Sequence, residues 1–209
     1  MTTIDRTPQR LGAGVWHTRS HGRDLETTGL THVPRTGGAV LAMTHFAHRE
    51  LAFVELAVWR HSRRRIQCLV LNGRIEEPDA GGLFRPLRRI FVNLTAGAEA
   101  YAEALVALRH GELVALFPEA GGDDPLAVRE LRVSAARLAV EADVPLVPVV
   151  VWCEPIARDD PRDSQGSRSP VSVAFGEPIA MQRAEDVRAV TDELRATLQR
   201  MLLGLLRGR

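Results

Sequence analysis

The sequence predicts an α/β fold: one domain over residues 1–209 with a mostly parallel central sheet flanked by helices. Short runs rich in Val, Leu and Ala alternate along the chain with longer segments whose apolar residues recur every three or four positions, the pattern of successive β-α units. Residues 145–152 (PLVPVVVW) form an unbroken apolar run, as a strand covered on both faces requires. A chain of 209 residues is long enough to bury about 70 to 75% of its unfolded surface, so it needs no covalent staple.

The elements follow in order. Residues 39–44 (AVLAMT) lack helical spacing and come after Pro34, Gly37 and Gly38, so they read as a buried strand. From Arg49 to His61 the apolar positions suit a helix packed on several sides, and Ile66–Leu71 is the next strand. Ile90–Val92 is a brief strand. Ala98–Leu108 is a helix closed by Gly111, and Leu113–Phe117 is a strand. Residues 129–142 are expected to be helical, and Pro148 predicts a bulge or an edge position in the strand that follows. Residues 157–170 have the composition of a loop, Val171–Phe175 resumes a strand, and residues 184–206 carry Val187, Val190, Leu194, Leu198, Met201, Leu202 and Leu205 at amphipathic spacing.

Composition removes several function classes. The formal charge is +1, which gives no basic footprint for nucleic acid, and every basic residue of the Lys/Arg class is Arg, so no lysine nucleophile or Schiff base exists. Cys68 and Cys153 sit inside apolar runs, where a thiol packs as a small hydrophobe, and a disulfide is not expected. No apolar N-terminal leader and no run of about 18 apolar residues is present, so the expected location is cytoplasmic. Dinucleotide, Walker, paired CxxC and zinc-protease fingerprints are absent, and no cofactor is expected.

The chemistry concentrates in Thr44-His45-Phe46-Ala47-His48-Arg49-Glu50. A histidine just beyond a buried strand and a carboxylate at the start of the next helix suit a general base and the group that orients it, since an imidazole accepts a proton near neutrality and a carboxylate on its other nitrogen fixes the tautomer. The same spacing also suits a surface or core pair. His45, His48 and Glu50 lack the further ligands a metal site needs, and none is expected.

Three other segments accompany this one: Gly29-Leu30-Thr31-His32-Val33-Pro34 before it, then Phe117-Pro118-Glu119-Ala120-Gly121, then Val144-Pro145-Leu146-Val147-Pro148-Val149. As a set, over about residues 28–178, they resemble the glycerophospholipid acyltransferases, the family that includes lysophosphatidic acid acyltransferase, with its His-x4-Asp, Phe-Pro-Glu-Gly-Thr-Arg and Val-Pro-x-Val-Pro-Val blocks. The resemblance implies a glycerol-3-phosphate acyltransferase-like fold and an acyl-CoA or acyl-carrier-protein donor. It implies His45 as general base, Glu50 in place of the usual Asp, and a substrate-side region at Glu119, Ala120 and Gly121, with Arg132 nearby.

The departures from the family pattern bear on the acceptor. Gly122, followed by Asp123 and Asp124, stands where the Phe-Pro-Glu-Gly-Thr-Arg block carries Arg, and Leu94 of Ile90-Phe91-Val92-Asn93-Leu94 stands where a further block of the family tends to end its strand in Arg. Both changes work against a phosphate dianion, which Arg forks usually hold. A small-molecule or carrier-bound acceptor is therefore favoured over glycerol phosphate, with a lysophospholipid or glycolipid as the alternative and a non-catalytic acyl-binding protein as the reading from another class. The Leu-rich C-terminal helix with its flanking Arg leaves peripheral membrane contact open.

Overall fold

The computed structural model describes residues 9–11, 15–20, 23–44, 50–71, 88–92, 97–119, 127–153, 170–179 and 186–207. These residues hold nine strands, β1 (Gln9–Leu11), β2 (Val15–Ser20), β3 (Arg23–Thr28), β4 (Ala39–Met43), β5 (Ile66–Leu71), β6 (Arg88–Val92), β7 (Leu113–Leu116), β8 (Leu146–Cys153) and β9 (Val171–Phe175). The helices are α1 (Glu50–Ser62), α2 (Gly97–Arg109), α3 (Ser134–Ala142) and α4 (Val187–Arg207), with a short 3-10 turn at Leu30–His32. All the strands join one sheet in the order β1-β2-β3-β9-β8-β4-β7-β5-β6. From β8 through β4, β7 and β5 to β6 every neighbouring pair is parallel. Antiparallel pairing appears at β8–β9 and in the N-terminal ribbon.

The central strands are apolar because both of their faces are covered. In β4, Val40 and Ala42 join a cluster with Ala104, Leu138, Leu194 and Leu198, which is the side of α2, α3 and α4. Ala39, Leu41 and Met43 point the other way, toward Val54, Ala57 and Val58 of α1. The period-2 alternation of a strand thus feeds two separate cores.

Two expectations from sequence need correction. The helix expected from residue 129 begins only at Ser134, because Leu131 bridges antiparallel to Glu119 and the Arg132 N–H bonds the Pro118 carbonyl at 2.8 Å. Pairing with the end of β7 holds this stretch extended. Pro148, expected at a bulge or an edge, lies in an interior strand in unbroken register, with Leu41, Ala42 and Met43 opposite Val147, Pro148 and Val149. Its carbonyl accepts from Gly176 N–H at 2.8 Å, and the next bridge, Leu146 to Ile179, is one residue out of the β8–β9 register, so a bulge adjoins Pro148 although it holds no edge position. The donor that proline lacks is not needed at that position.

The N-terminal ribbon β1–β3 has no counterpart among the sequence expectations. Its segments are mostly polar, and β3 sends Leu25 and Thr27 into burial while Asp24 on the other face is exposed. Cys68 is buried, as its apolar setting indicated. The stretch 157–169 and the side chain of Cys153 lie outside the described residues.

Among the described residues no helix is long and apolar enough to cross a membrane. Much of the apolar stripe of α4 is turned into the protein, while Leu203 is exposed. Val190, Leu194, Leu198 and Leu202 are buried in the core, and Val187, Met201, Leu205 and Leu206 pack against it.

Candidate functional site

Chain connections define where a site forms. The segment after β4 leads to α1 on one face of the sheet. The segment after β7, the strand beside β4, leads to α3 on the opposite face. Adjacent parallel strands whose connections diverge to opposite faces open a crevice beyond their carboxyl ends, the usual ligand position in such sheets. Here that edge is marked by Thr44 on one strand and Phe117-Pro118-Glu119 on the other.

The β4 ladder continues through Thr44. Val40 N–H bonds the Pro145 carbonyl at 2.9 Å, and Thr44 N–H bonds the Val149 carbonyl at 3.1 Å, the same spacing along both strands. Thr44 is 7% exposed, and its hydroxyl oxygen is buried with no hydrogen-bond partner among the described residues. The sequence reading absorbed Thr44 into an apolar run; the signal available was a single hydroxyl ending five apolar residues. Regular structure resumes at Glu50, the first residue of α1. His45, the residues up to 49 and the side chain of Glu50 lie outside the described residues, as do Ala120 and Gly121.

Glu119 is half-buried and is held from two directions. Its backbone bridges to Leu131, and its carboxylate accepts from the Arg129 N–H at 3.4 Å. Helix α3 starts after Val133, whose own side chain makes no cap bond. Arg132 follows the bridge directly and is exposed. Helix α4 braces this stretch: Gln199 Oε1 accepts from Val128 N–H at 2.8 Å, and Arg195 Nε donates to the Arg129 carbonyl at 3.1 Å. The braced segment 128–132 therefore fixes the backbone that carries Pro118 and Glu119. Nothing in the sequence signals that α4 takes part, because these bonds span 66 and 71 positions.

The Gly29–Pro34 segment belongs to the opposite edge. β3 runs antiparallel to β4, so the turn that follows β3 lies at the amino end of β4. His32 Nδ1 is 2.9 Å from the Phe175 carbonyl oxygen, which anchors this turn to the end of β9. Arg64 ties the same edge together by donating to the carbonyls of Pro34 and Gly37, each at 2.6 Å, and to that of Gly111. Of the segments singled out from sequence, the structure brings together the ends of β4 and β7 and sets Gly29–Pro34 apart as scaffold. The Val144–Val149 block forms the start of β8 beside β4. Among the described residues no group of His, Cys, Asp and Glu is arranged to hold a metal ion.

Comparison with known proteins bears on this arrangement. The crystal structure of the 1-acyl-sn-glycerophosphate (LPA) acyltransferase PlsC from Thermotoga maritima superposes with a TM-score of 0.57, covering 88% of this chain and 72% of that one. At 15% identity this shows a shared fold. No curated protein sequence matches the chain. A sequence model of the acyltransferase family matches residues 24–152, which takes in β3 through β8 and with them both strand ends that frame the crevice. The chain belongs to the acyltransferase family.

Proposed function

We propose that the chain moves an acyl group from a thioester donor, acyl-CoA or acyl carrier protein, to a hydroxyl or amine acceptor, with His45 as general base and Glu50 as its orienting partner. The observation that carries this reading is the divergence of the connections after β4 and β7, which sets Thr44, the residue before His45 in sequence, at the same sheet edge as Phe117-Pro118-Glu119. In the reaction the acceptor's proton passes to the His45 imidazole as the acceptor attacks the thioester carbonyl carbon. A carboxylate at position 50 holds the imidazole in the tautomer that accepts this proton and stabilises the imidazolium. Glu119, Ala120, Gly121 and Arg132 are assigned to the acceptor side; Glu119 bridges to Leu131 in the stretch that α4 braces and that also carries Arg132.

Gly122, Asp123, Asp124 and Leu94 favour an acceptor without a phosphate dianion, a small molecule or a carrier-bound intermediate. A second reading has a specific observation behind it: the fold is shared with a lysophosphatidic acid acyltransferase, which favours a lysophospholipid acceptor. Thiol release from an acyl-CoA panel, with and without lysophosphatidic acid, separates the two. Release that requires lysophosphatidic acid supports the lipid reading, whereas release stimulated only by non-phosphate hydroxyl or amine acceptors supports the first. The end of α4 keeps Leu203 exposed and Leu205 and Leu206 partly buried, so we propose a cytoplasmic location with peripheral membrane contact through that helix end as the alternative.

A further inference from the structure

We propose that Thr44 contacts the substrate, its hydroxyl donating a hydrogen bond to the carbonyl oxygen of the acyl thioester as negative charge builds there; this rests on the acyl-transfer reading above. Every residue of β4 before Thr44 is apolar and buried. Thr44 itself is 7% exposed, and its oxygen has no hydrogen-bond partner among the described residues. Its backbone N–H is already used by Val149. A buried hydroxyl without a partner carries a desolvation penalty that a Val of the same shape would not, so packing alone does not account for Thr at this position.

The surroundings say what kind of ligand fits. The alternation that sends Val40 and Ala42 to the α2–α4 side sends Thr44 there as well, and the register that pairs Ala42 with Leu116 and Pro148 continues to Pro118 and Val150. Those neighbours offer no side-chain acceptor. An O–H group in an apolar setting, at the strand end where the connections diverge, is matched by a ligand that brings a carbonyl oxygen on an apolar chain. An acyl thioester has that chemistry.

In the step itself the acceptor oxygen or nitrogen bonds to the carbonyl carbon while its proton goes to His45, and the carbonyl π electrons move onto the oxygen that Thr44 holds. Collapse re-forms the C=O bond and breaks the C–S bond, and the departing thiolate takes the proton back from the imidazolium to leave as thiol. Donors aimed at this oxygen act mainly on kcat, because the bond strengthens as charge develops.

The test compares wild type, Thr44→Val and Thr44→Ser in thiol release from acyl-CoAs with the acceptor found active, alongside melting temperature. The expected result is a Thr44→Val kcat lower by about a hundredfold with KM little changed, a Tm equal to or above that of wild type, and near-normal kcat for Thr44→Ser. Wild-type turnover in Thr44→Val overturns the proposal. So does a parallel fall of Tm and kcat in both variants, which marks a packing role. Thiol release by the wild type upholds the acyl-transfer reading whatever Thr44 does; a wild type silent on every donor removes that reading, and the role of Thr44 with it.

Discussion

Single residues fix the geometry of both sheet edges. Gly29 has φ +68°, and a Cβ there would stand 1.9 Å from the Phe175 carbonyl oxygen, so backbone must move to admit any other residue. Gly29→Ala is expected to destabilise by at least about 2 kcal/mol in urea titration, combining the left-handed penalty with a clash against main chain. Glu55 is a second sensitive position. It is buried on α1, and desolvation pushes its carboxyl above the usual carboxylate range despite the Arg65 guanidinium 3.2 Å away. The Arg65 guanidinium in turn lies over the Trp59 ring, 4.5 Å from its centre. Because the folded state holds the Glu55 proton more tightly than the unfolded chain, this group lowers stability as pH rises from about 4.5 through the raised folded value. Glu55→Gln should therefore gain stability relative to wild type between pH 4 and pH 7, with the difference growing across that range. Urea midpoints at both pH values check this, and a gap that shrinks with pH would contradict it.

At the scale of elements, α4 shows how sequence periodicity becomes structure. Leu198 is fully buried against the sheet, whereas Leu203 on the outer face is 39% exposed. Leu198→Ala is expected to destabilise by about 2–5 kcal/mol and Leu203→Ala by no more than about 0.5 kcal/mol, measured by denaturant unfolding. Helices and central strands were legible in the sequence because their apolar spacing records contact with one core or two. The ribbon β1–β3 was not, since a strand such as RDLETT buries little more than Leu25 and Thr27 and carries only a weak alternation. The start of α3 was misplaced for a different reason. Residues 129–133 are compatible with a helix, and only the pairing of Leu131 with Glu119, a contact between separate segments, draws them out. Pro148 shows the same limit, because whether proline is tolerated depends on which neighbouring strand ends beside it.

For the whole molecule, the order of strands matters more than any one motif. β7 enters the sheet between β4 and β5 and sends its connection to the face opposite α1, so the two connections diverge beyond Thr44 and Glu119. Residue types and the family resemblance marked candidate chemical residues, but the sequence was silent on edges. Pro34 lies ten positions before Thr44 in sequence, and yet the Gly29–Pro34 segment sits at the other end of the strands, held by Phe175. It was equally silent on the bracing of Glu119 by α4 through Arg195 and Gln199. The most direct measurement is thiol release from a panel of acyl-CoAs, with and without acceptor, by wild type and His45→Ala. Acceptor-dependent release by the wild type that falls at least about a hundredfold in a His45→Ala protein of unchanged Tm is the predicted result. A folded His45→Ala protein that releases thiol at the wild-type rate would contradict it.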